Sequence, residues 1–232
     1  MTTQTSTTPH LTGKVIIKGH IVTETGLHIG GSKAALDIGG IDLNVVKTAR
    51  KVPFIPGSSL KGKLRSLLAK IEGSLDIGND STAIKTIFGD TSIEGHTRLL
   101  VRDAFLDEAK FKTDIYDEYG ETDMEQEYSD VKCENTIDRK TGTAQHPRQL
   151  ERVPIGAIFN FEMIYDAYDD GQKDTHLRKI ITAMRLLQND YIGGNGSRGY
   201  GQIRFEAVTF TEKTVEHYEK DEPGITIENL TL

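Results

Sequence analysis

The sequence predicts an α+β fold with its elements in the order β-α-β-β-α-β. Two segments carry apolar side chains at helical spacing, four others are rich in β-branched or alternating apolar residues, and glycine and proline separate them. This order is that of the ferredoxin-like split βαβ arrangement, in which a four-stranded antiparallel sheet carries two helices on one face.

The first half of the chain contains one strand and one helix. Residues 14–23 form the first predicted strand, with Val15 and Ile17 on one side, and a glycine- and proline-rich loop follows Gly26. From Ser58 the apolar residues return at helical spacing, which predicts the first helix. The residues of this stripe are Leu60, Leu64, Leu67, Leu68 and Ile71.

The second half continues with strands over 97–106 and 157–165, a helix over 175–187 and a closing strand over 201–210. The polar stretch between the two middle strands is long for a compact domain and is predicted to form a hairpin arm. We therefore expect a single domain over 11–211, with insertions at 26–57 and 107–156 and flexible tails at 1–10 and 212–232.

Composition narrows the class of protein. No stretch approaches the roughly 20 apolar residues of a membrane helix, and the start of the chain lacks a signal peptide, which favours a cytoplasmic protein without a membrane partner. One cysteine, Cys133, cannot form an internal disulfide, and the seven histidines show no metal-ligand spacing. A net charge of −7 argues against a general polyanion binder.

The charge is nevertheless segregated along the chain. Residues 43–70 contain seven bases and no acid, whereas residues 114–130 contain eight acids and no base. A basic stretch of that length attracts phosphates locally, because the Debye length is only about 8 Å at ordinary salt. A solvated helix face with a loop is the alternative interpretation.

Two glycine-containing motifs favour phosphate or backbone recognition. Ser58 and Ser59 stand at a helix start with Lys61, Lys63 and Arg65 one turn in, which is typical of a phosphate site, although an ordinary serine N-cap needs no ligand. Residues 191–201 form a glycine-rich turn that lacks the Walker ending. It fits close approach to a sugar-phosphate chain, with a helix C-cap followed by a bulge as the alternative.

The predicted ferredoxin-like arrangement is also used by RNA-recognition (RRM) modules, which usually stack bases on aromatic side chains of the sheet. The standard aromatic signature is absent from residues 97–106, so RNA binding is expected to use loops and inserts. His28, in the first loop, is by default a structural or solvent-facing histidine.

Five ordered motifs together resemble the RAMP superfamily of CRISPR proteins, and more closely the repeated backbone subunit of type III-A (Csm) effector complexes. The resemblance covers residues 11–210. The motifs are TGLHIGG at 25–31, Gly40-Ile41-Asp42 with Val45-Val46, IPGSSLKGK at 55–63, ENTIDR at 134–139 and GGNGSRG at 193–199.

The resemblance implies a filament of identical subunits that lies along a guide RNA, together with other effector subunits. Each subunit has an arm (thumb, 134–152) that splays the guide-target duplex, and the single-stranded target RNA is cut at each splayed position. The cleaving residue maps to Asp42, acting with Mg²⁺ or Mn²⁺. The RNA-binding residues expected from these motifs are His28, Lys47, Arg50, Lys51, Ser58, Ser59, Lys61, Lys63, Arg65, Asn135, Arg139, Arg148, Gly194 and Arg198.

RNA carries its own nucleophile, the 2'-OH, so a protein that distorts one nucleotide lowers much of the barrier by orientation. Asp42 could then act as general base or as ligand of a divalent cation, and the sequence does not separate these roles. Asp37 in the same loop and Asp138 on the arm are the rival carboxylates.

Three other functions stay open at this point. The chain could be a purely architectural guide-binding subunit, because Leu43-Asn44 follows Asp42 where the family often has Ser or Asn followed by Pro. It could be a guide-processing endonuclease, although those proteins usually hold two ferredoxin-like halves. It could also be an α/β domain without any RNA role, in keeping with its acidity.

Overall fold

A computed structural model describes residues 8–31, 43–90, 97–120 and 127–232, without the side chains of 118–120 and 146. The strands in these ranges are β1 (Leu11–Thr23), β2 (Phe54–Ile55), β3 (Leu99–Val101), β4 (Ala104–Leu106), β5 (Asp130–Ile137), β6 (Ala144–Arg152), β7 (Ile158–Tyr168), β8 (Ile203–Thr214) and β9 (Ile225–Thr226). The α-helices are α1 (Gly57–Glu72), α2 (Thr82–Phe88), α3 (Glu108–Phe111), α4 (Lys173–Gln188) and α5 (Val215–Glu219). Short 3₁₀ turns cover Ile77–Asn79 and Gly196–Arg198, and a π-helical segment covers Lys112–Gly120.

The main sheet has the strand order β2-β4-β7-β1-β8-β9, and β3 also pairs with β7. The described pairings between these strands are antiparallel. Strands β5 and β6 form a separate two-stranded antiparallel sheet. The predicted mixture of helices with antiparallel strands is therefore confirmed.

The strand predicted over 97–106 is divided into β3 and β4. The start of α1 lies against the break: a Cβ on Gly57 would be 2.3 Å from the carbonyl oxygen of Val101, and the Gly57 N–H donates to Asp103 Oδ1 at 2.8 Å. The backbone of α1 thus contacts the sheet at this break.

The hydrophobic core lies between one face of the sheet and helices α1 and α4, which pack against each other. Alternate residues of β1, such as Val15 and Ile17, are fully buried there, as are Leu60 and Leu64 of α1. Burial of each such side chain stabilises the fold by about 1.5–3 kcal/mol. The apolar periodicities of the sequence therefore identified the faces that form this core, except that Ile71, predicted on the stripe of α1, is 58% exposed.

Residues 212–232 differ from the flexible tail expected from the sequence. Strand β8 continues to Thr214, whose hydroxyl caps α5, and β9 pairs with β8. Ile227, Leu230 and Leu232 pack against the core, and the first two lie beside residues of α4 and Glu212 of β8. No described helix is long and apolar enough to span a membrane.

A buried polar contact beneath α4 makes stability depend on pH. His176 is 2% exposed, and its Nδ1 lies 2.8 Å from the hydroxyl of Tyr165. Burial, aided by the charge of Arg98, lowers the pKa of His176 from 6.5 to about 4. Between these two pH values His176 is therefore protonated in the unfolded chain and neutral in the folded chain.

We expect the free energy of unfolding to fall by about 3 kcal/mol through this group as the pH drops from about 6.5 to about 4, with no further loss from it below that range. Urea denaturation across this window measures the effect. In His176→Gln the dependence should be shallower than in the wild type by that amount. An identical dependence in both proteins would contradict the assignment.

Candidate nucleic-acid interface at the base of the arm

The arm is the hairpin of β5 and β6. Its turn is stabilised by Asp138, which accepts the backbone N–H groups of Lys140 and Thr141, and these bonds lower the pKa of the Asp138 carboxyl. The predicted RNA-binding side chains of the arm are solvent-exposed: Asn135, Arg139 and Arg148. Asn135 lies at the irregularity in strand register between Glu134 and Thr136, which gives it a position outside the regular ladder.

The loop that contains the two candidate carboxylates is closed at its ends. Asp37 and Asp42 themselves lie outside the described residues. Gly30 forms an isolated antiparallel β-bridge with Val45, and the Gly31 N–H donates to the carbonyl oxygen of Asn44 at 2.9 Å. Leu43, the residue after Asp42, pairs in parallel with Leu150 of β6. The loop is thus held at both ends, and its C-terminal end is joined to the arm.

Glu151 of β6 connects these ends to the arm through its carboxylate. The side chain is 1% exposed, and it accepts the Val45 N–H at 2.8 Å and the Ser129 hydroxyl at 2.5 Å. It also forms an ion pair with Lys47. Lys47, predicted to bind RNA, is therefore a partly exposed cation that is paired with a buried acid.

His28 joins the loop, the arm and the glycine-rich turn. Its ring is 5% exposed, and Nδ1 donates to the carbonyl oxygen of Glu151 at 2.7 Å. The His28 carbonyl accepts the Gly194 N–H at 2.8 Å. The structure gives this side chain a positioning role, because burial keeps the ring from solvent.

The glycine-rich turn, residues 191–201, lies against the base of the arm. Tyr200 donates its hydroxyl to Glu134 Oε1 at 3.0 Å, and Arg198 lies 3.5 Å from the other Glu134 oxygen. Burial and the Glu134 carboxylate raise the pKa of Tyr200 to about 12. Arg198 is 55% exposed, so its guanidinium also faces solvent.

A bidentate ion pair fixes the two arm strands to each other at this place. Arg152 donates to both oxygens of Asp130, at 2.9 and 3.0 Å, and this contact raises the pKa of Arg152. Gly26 leaves room for it, since a Cβ there would lie 2.4 Å from the Arg152 Cδ. We call the junction of the loop ends, the arm and the glycine-rich turn the arm-base site.

The predicted cations of α1 separate into two groups. Arg65 donates to Asp80 at 2.7 Å and to the Gly89 carbonyl at 2.9 Å, and Lys63 contacts Asp190 at 3.1 Å and the Tyr191 ring. Both side chains are more than four-fifths buried. Both neutralise acids of the protein, because the fold places those acids beside them, and their role in RNA binding stays a prediction.

Polar side chains at the start of α1 are at least partly accessible to solvent. Pro56 is the N-cap and makes no side-chain cap bond, so the serine N-cap alternative is wrong. Ser58 is exposed, and Ser59 and Lys61 are half-buried. Farther upstream Lys51 and Arg50 are exposed, and Arg50 lies 3.3 Å from Glu108.

Sequence reasoning missed Glu151 and Tyr200 as members of the site. Glu151 stands next to the apolar Leu150 and near Val153, and an acid in such a setting was the available signal. Within the described ranges no group of three or more His, Cys, Asp or Glu could hold a metal ion.

The glycine-rich turn permits a test of the arm-base geometry. Gly193 and Gly199 both have positive φ, +84° and +82°, but a Cβ on Gly193 would lie 2.3 Å from the His28 carbonyl oxygen, whereas nothing lies within 4 Å at Gly199. Gly199→Ala should cost about 1–2 kcal/mol of unfolding free energy from backbone strain alone. Gly193→Ala should cost about 1–3 kcal/mol more. Equal losses in chemical denaturation would contradict the close contact.

Comparison with known proteins identifies the relatives of this chain. The sequence model of the RAMP superfamily matches residues 20–204. The protein named CRISPR system Cms endoribonuclease Csm3 in Methanocaldococcus jannaschii is 41% identical over 228 residues, which covers 91% of this chain and 86% of that protein. The protein of the same name in Streptococcus thermophilus is 42% identical over 206 residues, 85% of this chain and 90% of its own.

Solved structures show the same fold. A chain from the crystal structure of the Csm3-Csm4 subcomplex in the type III-A CRISPR-Cas interference complex is 30% identical, with a TM-score of 0.58 and coverage of 94% of this chain and 91% of that one. A chain of the type III-B Cmr-beta complex bound to cognate target RNA has a TM-score of 0.58 at 20% identity, covering 85% and 61%, a likeness of fold alone. The chain belongs to the RAMP superfamily.

Proposed function

We propose that this chain is a guide-RNA-binding backbone subunit of a type III CRISPR effector, and that it cleaves complementary target RNA at regular intervals in antiviral defence. The identities of 41% and 42% to proteins named Csm3 endoribonuclease support this function. Its partners are a guide RNA, single-stranded target RNA, further copies of the chain in a filament and the other effector subunits.

The fold suited to this task is a ferredoxin-like core with a long loop after β1 and the arm inserted before β7. The strand order supports it, since β1 lies between β7 and β8 and each of α1 and α4 connects strands of the sheet. The insertions at 26–57 and 107–156 then project from one core domain, which begins at residue 11 and extends beyond the expected end at 211, because β9 pairs with β8.

The observation that carries the function is the link between the loop of Asp42 and the arm. Glu151 N–H donates to the Leu43 carbonyl at 3.0 Å, one residue from Asp42. A nucleotide displaced by the arm would therefore be close to the end of this loop. The exposed side chains of Asn135, Arg139 and Arg148 provide polar and cationic contacts along the arm.

Asp42 is the residue we assign to cleavage. As general base its carboxylate accepts the 2'-OH proton, while the 2'-oxygen bonds to the adjacent phosphorus and the bond from phosphorus to the 5'-oxygen breaks. The departing oxygen takes up a proton from solvent. The arm contributes orientation, since it brings the 2'-oxygen into line with the leaving oxygen.

A divalent cation, Mg²⁺ or Mn²⁺, is the cofactor of this proposal. Mg²⁺ is usually held by one or two carboxylates together with phosphate oxygens and water, so a loop carboxylate without a protein cage is a suitable donor. Asp42 would hold it, and Asp37 is the rival carboxylate in the same loop. When bound, the cation neutralises charge that develops on the phosphate oxygens.

Cleavage by the reconstituted effector tests the function. A 5'-labelled RNA complementary to the guide should yield a ladder of evenly spaced products with Mg²⁺, and EDTA should abolish the ladder while the guide stays bound. Guide binding without any ladder would indicate an architectural subunit. Cutting of a precursor repeat hairpin in EDTA would indicate a guide-processing nuclease, and absence of copurifying RNA would argue against every RNA role.

A further inference from the structure

A groove between the start of α1 and strands β3, β4 and β7 has chemistry that the arm-base site does not use. Its volume is about 940 Å³, within the range of roughly 300–1,000 Å³ for ligand pockets. The start of α1 forms one wall with Ser58 and Lys61, and β3 and β4 contribute Leu100 and Phe105. The groove therefore combines polar, cationic and apolar groups.

Phe105 is an exposed aromatic ring in this groove. Its side chain is 54% exposed, and it pairs across the strands with Phe54, whose ring centroid lies 6.0 Å away at an interplanar angle of 29°. Leu100 beside it is 45% exposed. A planar apolar group placed on Phe105 would extend the existing stack as a third ring, because aromatic pairs favour offset stacking.

The charges of the groove are balanced except at Lys61. Lys18 and Arg102 both contact Glu162, at 2.9 and 2.7 Å. The Asp103 carboxylate accepts the N–H that opens α1. Within the part of the chain that the structure describes, Lys61 has no carboxylate within 4 Å, and burial together with the charge of Arg65 lowers its pKa.

A ligand that carries both an anionic group and a flat apolar ring would fit this groove. We propose that the groove binds one nucleotide of a single-stranded RNA, with its base stacked on Phe105 and its phosphate beside Lys61. The RNA identity of the ligand rests on the proposed function. Stacking on phenylalanine tolerates every base, so the site would hold RNA without reading its sequence.

Binding of two probes by the full chain tests the proposal. One probe is a short fluorescein-labelled oligouridylate, and the other has the same sugar-phosphate backbone without bases. Phe105→Ala should weaken oligouridylate binding by about 5- to 100-fold and leave affinity for the abasic probe unchanged. Phe105→Tyr should bind both probes as the wild type does, since it keeps the ring.

Lys61→Met provides the complementary variant. It should weaken binding of both probes and reduce the dependence of affinity on salt, because a phosphate contact is lost. Unchanged melting temperatures exclude misfolding as the cause.

Wild-type affinity of Phe105→Ala for oligouridylate would overturn the base site while leaving the proposed function in place. If the same variant altered sedimentation of the protein instead, the groove would be a contact between copies of the chain and the proposal would fail. Failure of the wild type to bind either probe would overturn both the base site and the proposed function.

Discussion

In the assembled effector, Asp42→Ala is expected to abolish the ladder of target products while guide binding is retained. A general base contributes about 10²- to 10⁴-fold to such a reaction, so the cleavage rate should fall at least about 100-fold. The carboxylate is the only group removed, and the loop ends keep their bonds to Ile29, Gly31 and β6. Single-turnover cleavage of a labelled complementary RNA measures the rate.

Two matched aspartates serve as controls. Asp37→Ala removes a carboxylate from the same loop, and Asp138→Ala removes the one that stabilises the turn of the arm. Both variants should keep most of the wild-type rate. Loss of the ladder in Asp37→Ala with an intact ladder in Asp42→Ala would transfer the role to Asp37, and an intact ladder in all three would remove carboxylate catalysis by this chain.

Glu151→Ala is expected to be the most destabilising change at the arm-base site. It removes the acceptor of the Val45 N–H and breaks the ion pair between Glu151 and Lys47. Removal of one partner of such a buried set costs about 3 kcal/mol, which corresponds to a melting temperature lower by about 6–12 °C. Hydrogen exchange of the Val45 amide should also accelerate, because the loop end is released.

Two comparisons isolate the effect of burial at Glu151. Glu162→Ala removes a partly exposed acid that pairs with Lys18 and Arg102, and it should cost less than about 1 kcal/mol. Glu151→Gln keeps an acceptor for Val45 but loses the charge, so its cost should lie between the two. A loss in Glu151→Ala no larger than that in Glu162→Ala would show that the buried carboxylate does not hold the loop.

The order and type of the core elements followed from local patterns. Apolar spacing identified α1 and α4, and β-branched runs identified β1, β7 and β8, because the faces that become buried must be apolar at the period of the element. The hairpin of β5 and β6 lies where the arm was predicted. The division of β3 from β4 was missed, since it arises from contact with the start of α1, far away in sequence.

The segments of the candidate site were predicted from motifs, whereas the contacts of their side chains were not. The loop, the arm and the glycine-rich turn were each identified by motif, and the structure brings their described residues together around His28. The roles of Lys63 and Arg65 could not be read from the sequence, because a free cation and a paired one differ only in what the fold places beside them. Asp190 and Asp80 are those partners.

The sequence by itself determined the family, the periodic core faces and the residue types available for RNA binding. Those properties are local, since periodicity and motifs are written in neighbouring positions. The tertiary structure alone decided which charges face solvent: it paired Lys47 with the buried Glu151, left Lys61 without an acidic partner among the described residues, and exposed Phe105 beside it. Desolvation and pairing depend on contacts between distant segments, and no local pattern encodes them.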